Sequence, residues 1–301
     1  MVKKILITGA SGLVGTRLTA LLLQKGYQVF HLGRSERKDS IPSFVWDVEK
    51  GTIDSQALVG IDGIIHLAGA GVADKRWTPS RKKEILDSRV KSSVLLFNSL
   101  KKERHTVRCF VSASAVGYYG FGLSDEVFTE NSKPGSDFLA QVTRQWEEEV
   151  DKISSLGIRV VKLRIGIVLS DKGGALAEMV KPIKAGFGAA LGSGKQYLTW
   201  IHLDDLCQMF ISAVEDQSMN GVFNAVGPEW VSNEEMTKAI AKAIKKPLWL
   251  PAVPNFVMKI VLGEMAAMVL YGSKISSDKI QKTGFKFRFT KLDDALKDLM
   301  L

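Results

Sequence analysis

Cysteine is almost absent from this chain, with only Cys109 and Cys207 in 301 residues. The two lie far apart, each in an apolar stretch. That spacing excludes a disulfide framework or a cysteine-built metal site, so no metal is expected, and it points to buried thiols in a reducing cytoplasm. Long apolar runs are missing too. The longest are strand-length, so neither a transmembrane helix nor a membrane partner is expected. The run behind Lys3 and Lys4 is too short for a signal sequence. There is no internal repeat and no low-complexity tract. Positive charge is in excess at +9, but it sits in short clusters such as Arg81–Lys83, Lys101–Lys102 and Lys245–Lys246. Without interleaved aromatics these read as solvated helix faces, and no nucleic-acid partner is expected. What remains is an ordinary globular composition, long enough for one large α/β domain or two smaller ones.

The most informative stretch is Lys3 to Ser35. A short apolar run, Lys4–Thr8, leads into Gly9-Ala-Ser11-Gly12-Leu13-Val14-Gly15. An apolar-periodic helix follows through Leu18, Leu21, Leu22 and Leu23, and a second apolar run, Tyr27 to Leu32, closes on Gly33-Arg34-Ser35. This is a βαβ unit with glycines opening its helix. The unpaired N–H groups and positive dipole end of such a helix suit a pyrophosphate. The spacing is G-x-x-G-x-x-G, and its position between strand and helix gives it weight. An Asp or Glu at the end of the second strand would bind a ribose 2′-hydroxyl. Here the positions are His31, Leu32, Gly33 and Arg34, which favours a 2′-phosphate and hence NADP(H) over NAD(H).

Further on, strands are expected at Phe44–Trp46, Gly63–Leu67, Val107–Val111 and Ile158–Leu163. Long helices are expected at about 79–100, with Thr78 as N-cap and Pro79 at the first position, and at about 136–155. Strand and helix alternate with short connections, the pattern of a doubly wound parallel sheet. His66 reads as a satisfied core histidine. Ligands in such sheets bind beyond the carboxyl ends of the strands. The glycine turn, Leu67-Ala68-Gly69-Ala70, Ser112 to Tyr119 and Arg164 onward all lie at such ends, and so converge on one cleft.

Past Arg164 the rhythm loosens. A helix is expected near 175–184, glycines follow at 186, 188, 192 and 194, and a strand is expected at Tyr197–Ile201. Asp204 and Asp205 read as caps of the next helix. Val222–Val226 is a further strand, Ser232-Asn-Glu-Glu235 is a capping box, and helices close the chain near 256–270 and 291–300. The expected fold is α/β, a Rossmann-type doubly wound parallel sheet with a smaller interleaved C-terminal substrate region. Residues 1–165, with sheet contributions from about 197–226, would be the dinucleotide-binding unit. Residues 166–301 would be the substrate side, with a distinct tail at about 247–301.

At this point the residues carry a resemblance. The glycine motif, Leu67-Ala-Gly69, the serine-rich strand end and Trp200-Ile-His-Leu-Asp-Asp205 resemble the extended short-chain dehydrogenase/reductase superfamily. Ala73 to Pro79, Ile85 to Val90, Ser112 to Gly120 and Leu191-Gly-Ser-Gly194 are similar to its nucleoside-diphosphate-sugar epimerase-like branch. Leu262-Gly-Glu-Met265 and Thr283-Gly-Phe285 match the tail domain of unknown function that this branch carries. The resemblance implies an NADP(H) site formed by Gly9, Ser11, Gly12, Leu13, Val14, Gly15, Arg34, Ser35, Asp47, Leu67, Ala68, Gly69, Arg89 and Arg164. It also implies that Ser114 binds a substrate oxygen beside a Tyr-x-x-x-Lys pair. That pair should begin near residue 138, where the sequence reads Phe138-Leu-Ala-Gln-Val142.

With phenol and ammonium missing, Tyr118 and Tyr119 are the candidates to carry the proton, or else their rings wall the cleft. Trp200 and His202 are candidate substrate contacts. The reading is an NADP(H)-dependent oxidoreductase or epimerase acting on a polar small molecule, with nucleotide sugars among the candidates. Its rival is an NADP(H)-binding sensor with no turnover. A monomer or a homodimer through the two long helices fits either.

Overall fold

The apolar runs of the first half stand side by side in one sheet. The computed structural model describes residues 3–36 and 40–300. In chain order the strands are β1 (Lys4–Thr8), β2 (Gln28–Gly33), β3 (Ser43–Asp47), β4 (Thr52–Ile53), β5 (Gly63–His66), β6 (Cys109–Ala115), β7 (Leu123–Phe128), β8 (Arg159–Ile165), β9 (Ile167–Leu169), β10 (Tyr197–Leu198), β11 (Trp200–His202), β12 (Gly221–Ala225), β13 (Val231–Ser232) and β14 (Gly272–Ile275). The helices are α1 (Leu13–Gln24), α2 (Pro79–Lys102), α3 (Phe138–Asp151), α4 (Ala175–Lys184), α5 (Leu203–Glu215), α6 (Asn233–Ala243), α7 (Asn255–Leu262), α8 (Ala267–Leu270), α9 (Asp278–Lys282) and α10 (Leu292–Met300). The main sheet runs β12-β8-β6-β5-β1-β2-β3-β4. Every pair in it is parallel except β3 with β4.

This is the doubly wound order, reversing direction on either side of β1. Its inner strands are covered on both faces, which is why Ile5–Ile7, Ile64, Ile65 and Phe110 are fully buried and read as continuous apolar runs. A second core gathers Leu169, Leu176, Trp200, Met236, Ile240 and Leu296. It lies around the two-stranded pairing of β9 with β11 and helices α4, α6 and α10.

Several boundaries differ from the sequence expectation, each for a local reason. The stretch read as a polar loop after Gly120 contains β7, which pairs in parallel with β14 from far along the chain; no local pattern announces such a partner. The apolar helix expected near 256–270 is broken at Gly263, whose φ of 60° ends α7. A Cβ there would come within 2.9 Å of the Arg76 guanidinium. The helix expected from Ser136 begins later, with the Asp137 side chain accepting the Ala140 N–H. Thr78 caps α2 by accepting the Arg81 N–H, and Ser232 with Glu235 forms the reciprocal capping box of α6. Asp204 and Asp205 are not the caps of α5. His202 is: its Nδ1 accepts the Asp204 N–H at 3.1 Å. Asp204 instead pairs with Arg17 at 2.7 Å, tying α5 to α1, and Asp205 accepts the N–H groups of Arg288 and Phe289.

Candidate dinucleotide cleft

The turn between β1 and α1 is held against the end of β5. Gly9 takes φ +68°, and a Cβ on it would lie 2.8 Å from the Leu67 carbonyl group. Gly15 is packed tighter still; its Cβ would meet the Gly9 carbonyl oxygen at 2.5 Å and Ala10 Cα at 2.6 Å. Only glycine fits a backbone folded this closely. Gly12 starts α1 with no side-chain cap, and the first turn carries no acid. The helix therefore presents free N–H donors and its positive dipole end to the cleft.

The opposite wall is positioned by Thr8. Its Oγ accepts the N–H groups of Leu67 and Ala68, at 3.1 and 3.2 Å. The Thr8 hydroxyl hydrogen is thereby aimed at His66 Nδ1, 2.7 Å away. Nε2 of His66 then carries the ring proton and faces the Ser92 hydroxyl at 3.2 Å. Burial, with Arg89 adding repulsion, pushes this imidazole down to about 3, so it stays neutral. The histidine is a strut under the cleft.

Between these walls lies a cleft of about 970 Å³. Gly9, Ser11 and Gly12 line one end, with Arg34 and Ser35 beyond β2 and Asp47 at the end of β3; Leu67, Ala68, Gly69 and Ala70 form the floor. The α2 residues Ser80, Lys83, Glu84, Asp87 and Ser88 close the side; sequence reasoning did not place them there. Arg34 is exposed. The Asp47 carboxylate accepts the backbone N–H groups of Lys50 and Glu49 and pairs with the Lys50 ammonium, which together hold it below the usual carboxylate range. Leu13, Val14 and Gly15 stand behind the wall as the first residues of α1.

Seven other expected residues, Tyr118 among them, are not on this wall. Ser114, Tyr119 and Arg164 belong to a buried network built on Glu147. Ser114 donates to Glu147 Oε1 at 2.5 Å, and Arg164 grips the same carboxylate with two bonds of 2.8 Å. The third Arg164 nitrogen donates to the Tyr119 hydroxyl at 3.1 Å, which itself donates to Asn224 Oδ1 at 2.6 Å. Burial alone would lower the Arg164 pKa, but the bonds from Glu147 more than offset it and raise it. Burial raises the Tyr119 phenol, despite opposition from Arg164 and Asn224. The Ser114 hydroxyl hydrogen, the Arg164 guanidinium and the Tyr119 hydroxyl are thus engaged within the protein.

Arg89 lies beneath the floor. It donates to the Ala70 and Ile85 carbonyl oxygens at 2.9 Å, and a Cβ on Gly69 would meet its guanidinium at 3.2 Å. Trp200 and His202 are buried at 0% and 2% exposure, the first in the second core and the second as the α5 cap against Phe289. Sequence position brought them near the site in the motif, but folding turned both inward.

Tyr118 is different. Its ring lies on the Arg164 guanidinium, 3.3 Å from carbon to centroid, and it is half-buried. Phe138, where the superfamily's tyrosine would stand, packs edge-on against Trp77 at 5.1 Å. Val142 is buried with Trp77, Ile85 and Met265. The position of the usual acid/base pair is therefore apolar. Among the described residues, no three His, Cys, Asp or Glu side chains come together to hold a metal.

A doubly wound sheet with a glycine turn against its β5 end and a cleft over its strand termini defines a Rossmann-type dinucleotide-binding protein. The chain belongs to the NAD dependent epimerase/dehydratase family, whose model matches residues 5–227. Residues 253–299 match a separate domain of unknown function, DUF1731. The chain is 36% identical over 299 residues to the epimerase family protein YfhF of Bacillus subtilis, covering 98% of this chain and 97% of the relative. It is similar to the crystal structure of the human epimerase family protein SDR39U1 (isoform 2) with NADPH, at a TM-score of 0.89 and 30% identity, covering 99% of each chain. A UDP-glucose 4-epimerase of Thermotoga maritima with UDP-glucose superposes at a TM-score of 0.79, but at 18% identity it shows the fold alone.

Proposed function

We propose that the chain binds NADP(H) in this cleft and acts as an oxidoreductase or epimerase on a small polar substrate. The observation that carries the binding is the cradle itself. Cβ atoms on Gly9 and Gly15 would collide with backbone, and the uncapped start of α1 faces the space beside them. The diphosphate of a dinucleotide fits such a cradle. Arg34 and Ser35, beyond a β2 end that carries no acid, would take the 2′-phosphate. The resemblance to a human protein solved with NADPH supports the same choice. Residues 1–165 with 197–226 would form the cofactor unit, and 166–301 the substrate side.

The bound nicotinamide would supply hydride exchange. For the proton we assign Tyr118, whose ring lies on the Arg164 guanidinium and whose hydroxyl takes no part in the Glu147 network. A second reading, an NADP(H)-binding sensor, is favoured by the apolar packing of Phe138 and Val142 in place of a phenol and an ammonium.

Fluorescence titration with NADPH and NADH tests the binding. NADPH should bind more tightly, and Arg34→Ala should weaken it about tenfold or more while sparing NADH, since a charge-assisted bond contributes about 1.5–3 kcal/mol. Absence of NADPH binding would end both readings. Screening carbonyl reduction and sugar-nucleotide epimerisation then separates enzyme from sensor. Activity that survives Tyr118→Phe would remove the role given to Tyr118.

A further inference from the structure

Helix α7, Asn255–Leu262, is apolar at six of its eight positions, yet none of its residues is buried. Phe256, Ile260 and Val261 are 64%, 70% and 63% exposed. Phe256 and Ile260 are i, i+4 neighbours on one face. Two more large side chains, Phe187 and Trp249, are each 67% exposed. They lie on paired segments. The Val253 N–H donates to the Ala190 carbonyl oxygen and the Gly192 N–H to that of Val253, both at 2.8 Å. A Cβ on Gly188 would touch the Leu248 side chain at 2.7 Å, and one on Gly192 would meet Asn255 Oδ1 at 2.4 Å. Gly188 and Leu248, the chain neighbours of Phe187 and Trp249, thus meet at one end of the pairing, and α7 departs from the other.

The charges nearest this lobe in sequence that lack an ion-pair partner are positive. Lys184, Lys245, Lys246 and Lys259 are all exposed, and none has an ion-pair partner among the described residues. The acids nearest in sequence are already paired, Glu178 with Lys181 and Glu264 with Lys82.

We propose that this lobe docks on an anionic lipid surface, with α7 lying in the interfacial plane. Phe256 and Ile260 would enter the acyl boundary, Trp249 and Phe187 would sit at headgroup level, and the lysines would meet acidic headgroups. Among the described residues no helix is long and apolar enough to cross a membrane, but a helix lying along the interface needs no such length. A second copy of this chain fits less well. An isologous contact would set the same lysine rim against itself.

The test is co-sedimentation of the full chain with phosphatidylcholine vesicles, with and without about one-third phosphatidylglycerol. Partition should be about tenfold higher on the anionic vesicles and should fall in high salt. The exposed-site double variant Phe256→Ser/Ile260→Ser should lose binding with unchanged thermal unfolding and unchanged NADPH affinity. Lys245→Glu/Lys246→Glu should abolish the preference for acidic lipid. Equal binding to both vesicles, or none, overturns the proposal. So does light scattering that shows a dimer dispersed by the Phe256→Ser/Ile260→Ser variant.

Discussion

Mild acid should destabilise this fold through His66. The ring is fully buried, with Phe110 at 5.8 Å and Trp46 at 6.3 Å. It is complete as a neutral species: Nδ1 accepts from Thr8 and Nε2 donates to Ser92. Burial, then the Arg89 charge, lowers its pKa from 6.5 to about 3. An unfolded chain takes up this proton as pH falls through its ordinary range, while the folded chain resists. Protons therefore favour unfolding, and the stability that neutral His66 contributes is full above that range and declines below it. One proton gives a slope of about 1.4 kcal/mol per pH unit, hence about 2 kcal/mol lost between about pH 6.5 and pH 5, with a ceiling of about 5 kcal/mol near pH 3.

Urea unfolding of the wild type and His66→Gln at neutral and acidic pH measures the effect. Glutamine keeps an acceptor and a donor but does not titrate. His202, which burial also pushes down, is present in both proteins and cancels. The stability difference between wild type and variant should therefore shift by about 2 kcal/mol toward the variant on going to about pH 5. Parallel pH profiles would refute the assignment of His66 as a buried neutral strut.

Two further outcomes follow from geometry elsewhere. Gly15→Ala places a methyl group 2.5 Å from the Gly9 carbonyl oxygen, so the turn must shift; NADPH affinity should fall about tenfold or more. Gly122→Ala, with nothing within 4 Å of its Cβ, should leave that affinity unchanged. Glu147→Gln leaves the Arg164 cation without its buried counter-charge, whereas Lys162 keeps Asp151 at 2.6 Å; the variant should cost about 3–5 kcal/mol by urea unfolding. Ser114→Ala, which removes one hydroxyl from the same carboxylate, should cost about 1 kcal/mol.

The parts of the fold that were legible in the sequence were those written locally. Continuous apolar runs became the inner strands, Thr78-Pro79 and Ser232 to Glu235 became helix starts, and the glycines at 9, 12 and 15 marked the turn. Their causes are steric and hydrogen-bonding rules that act within a few residues. Where the reading failed, a distant partner decided. β7 is a strand because β14 arrives beside it, and His202 turns inward because it caps α5 while Phe289 packs on its ring.

The Glu147 partner of Arg164 and Ser114 is more instructive, because its signal was present in the sequence. In β8 Lys162 and Arg164 are two residues apart, so both project to one face of a sheet that helices cover on both sides. Two cations there require an acid from the covering helix. On α3, Glu147 is four residues beyond Thr143 and three before Val150, all three buried, and so shares their inward stripe although Glu148 and Glu149 beside it belong to a charged run. Matching the cations of the strand to the inward stripe of the helix pairs Arg164 with Glu147 from the sequence pattern alone. Ser114 and Tyr119 are drawn into that pair, while the Tyr118 hydroxyl takes no part in it.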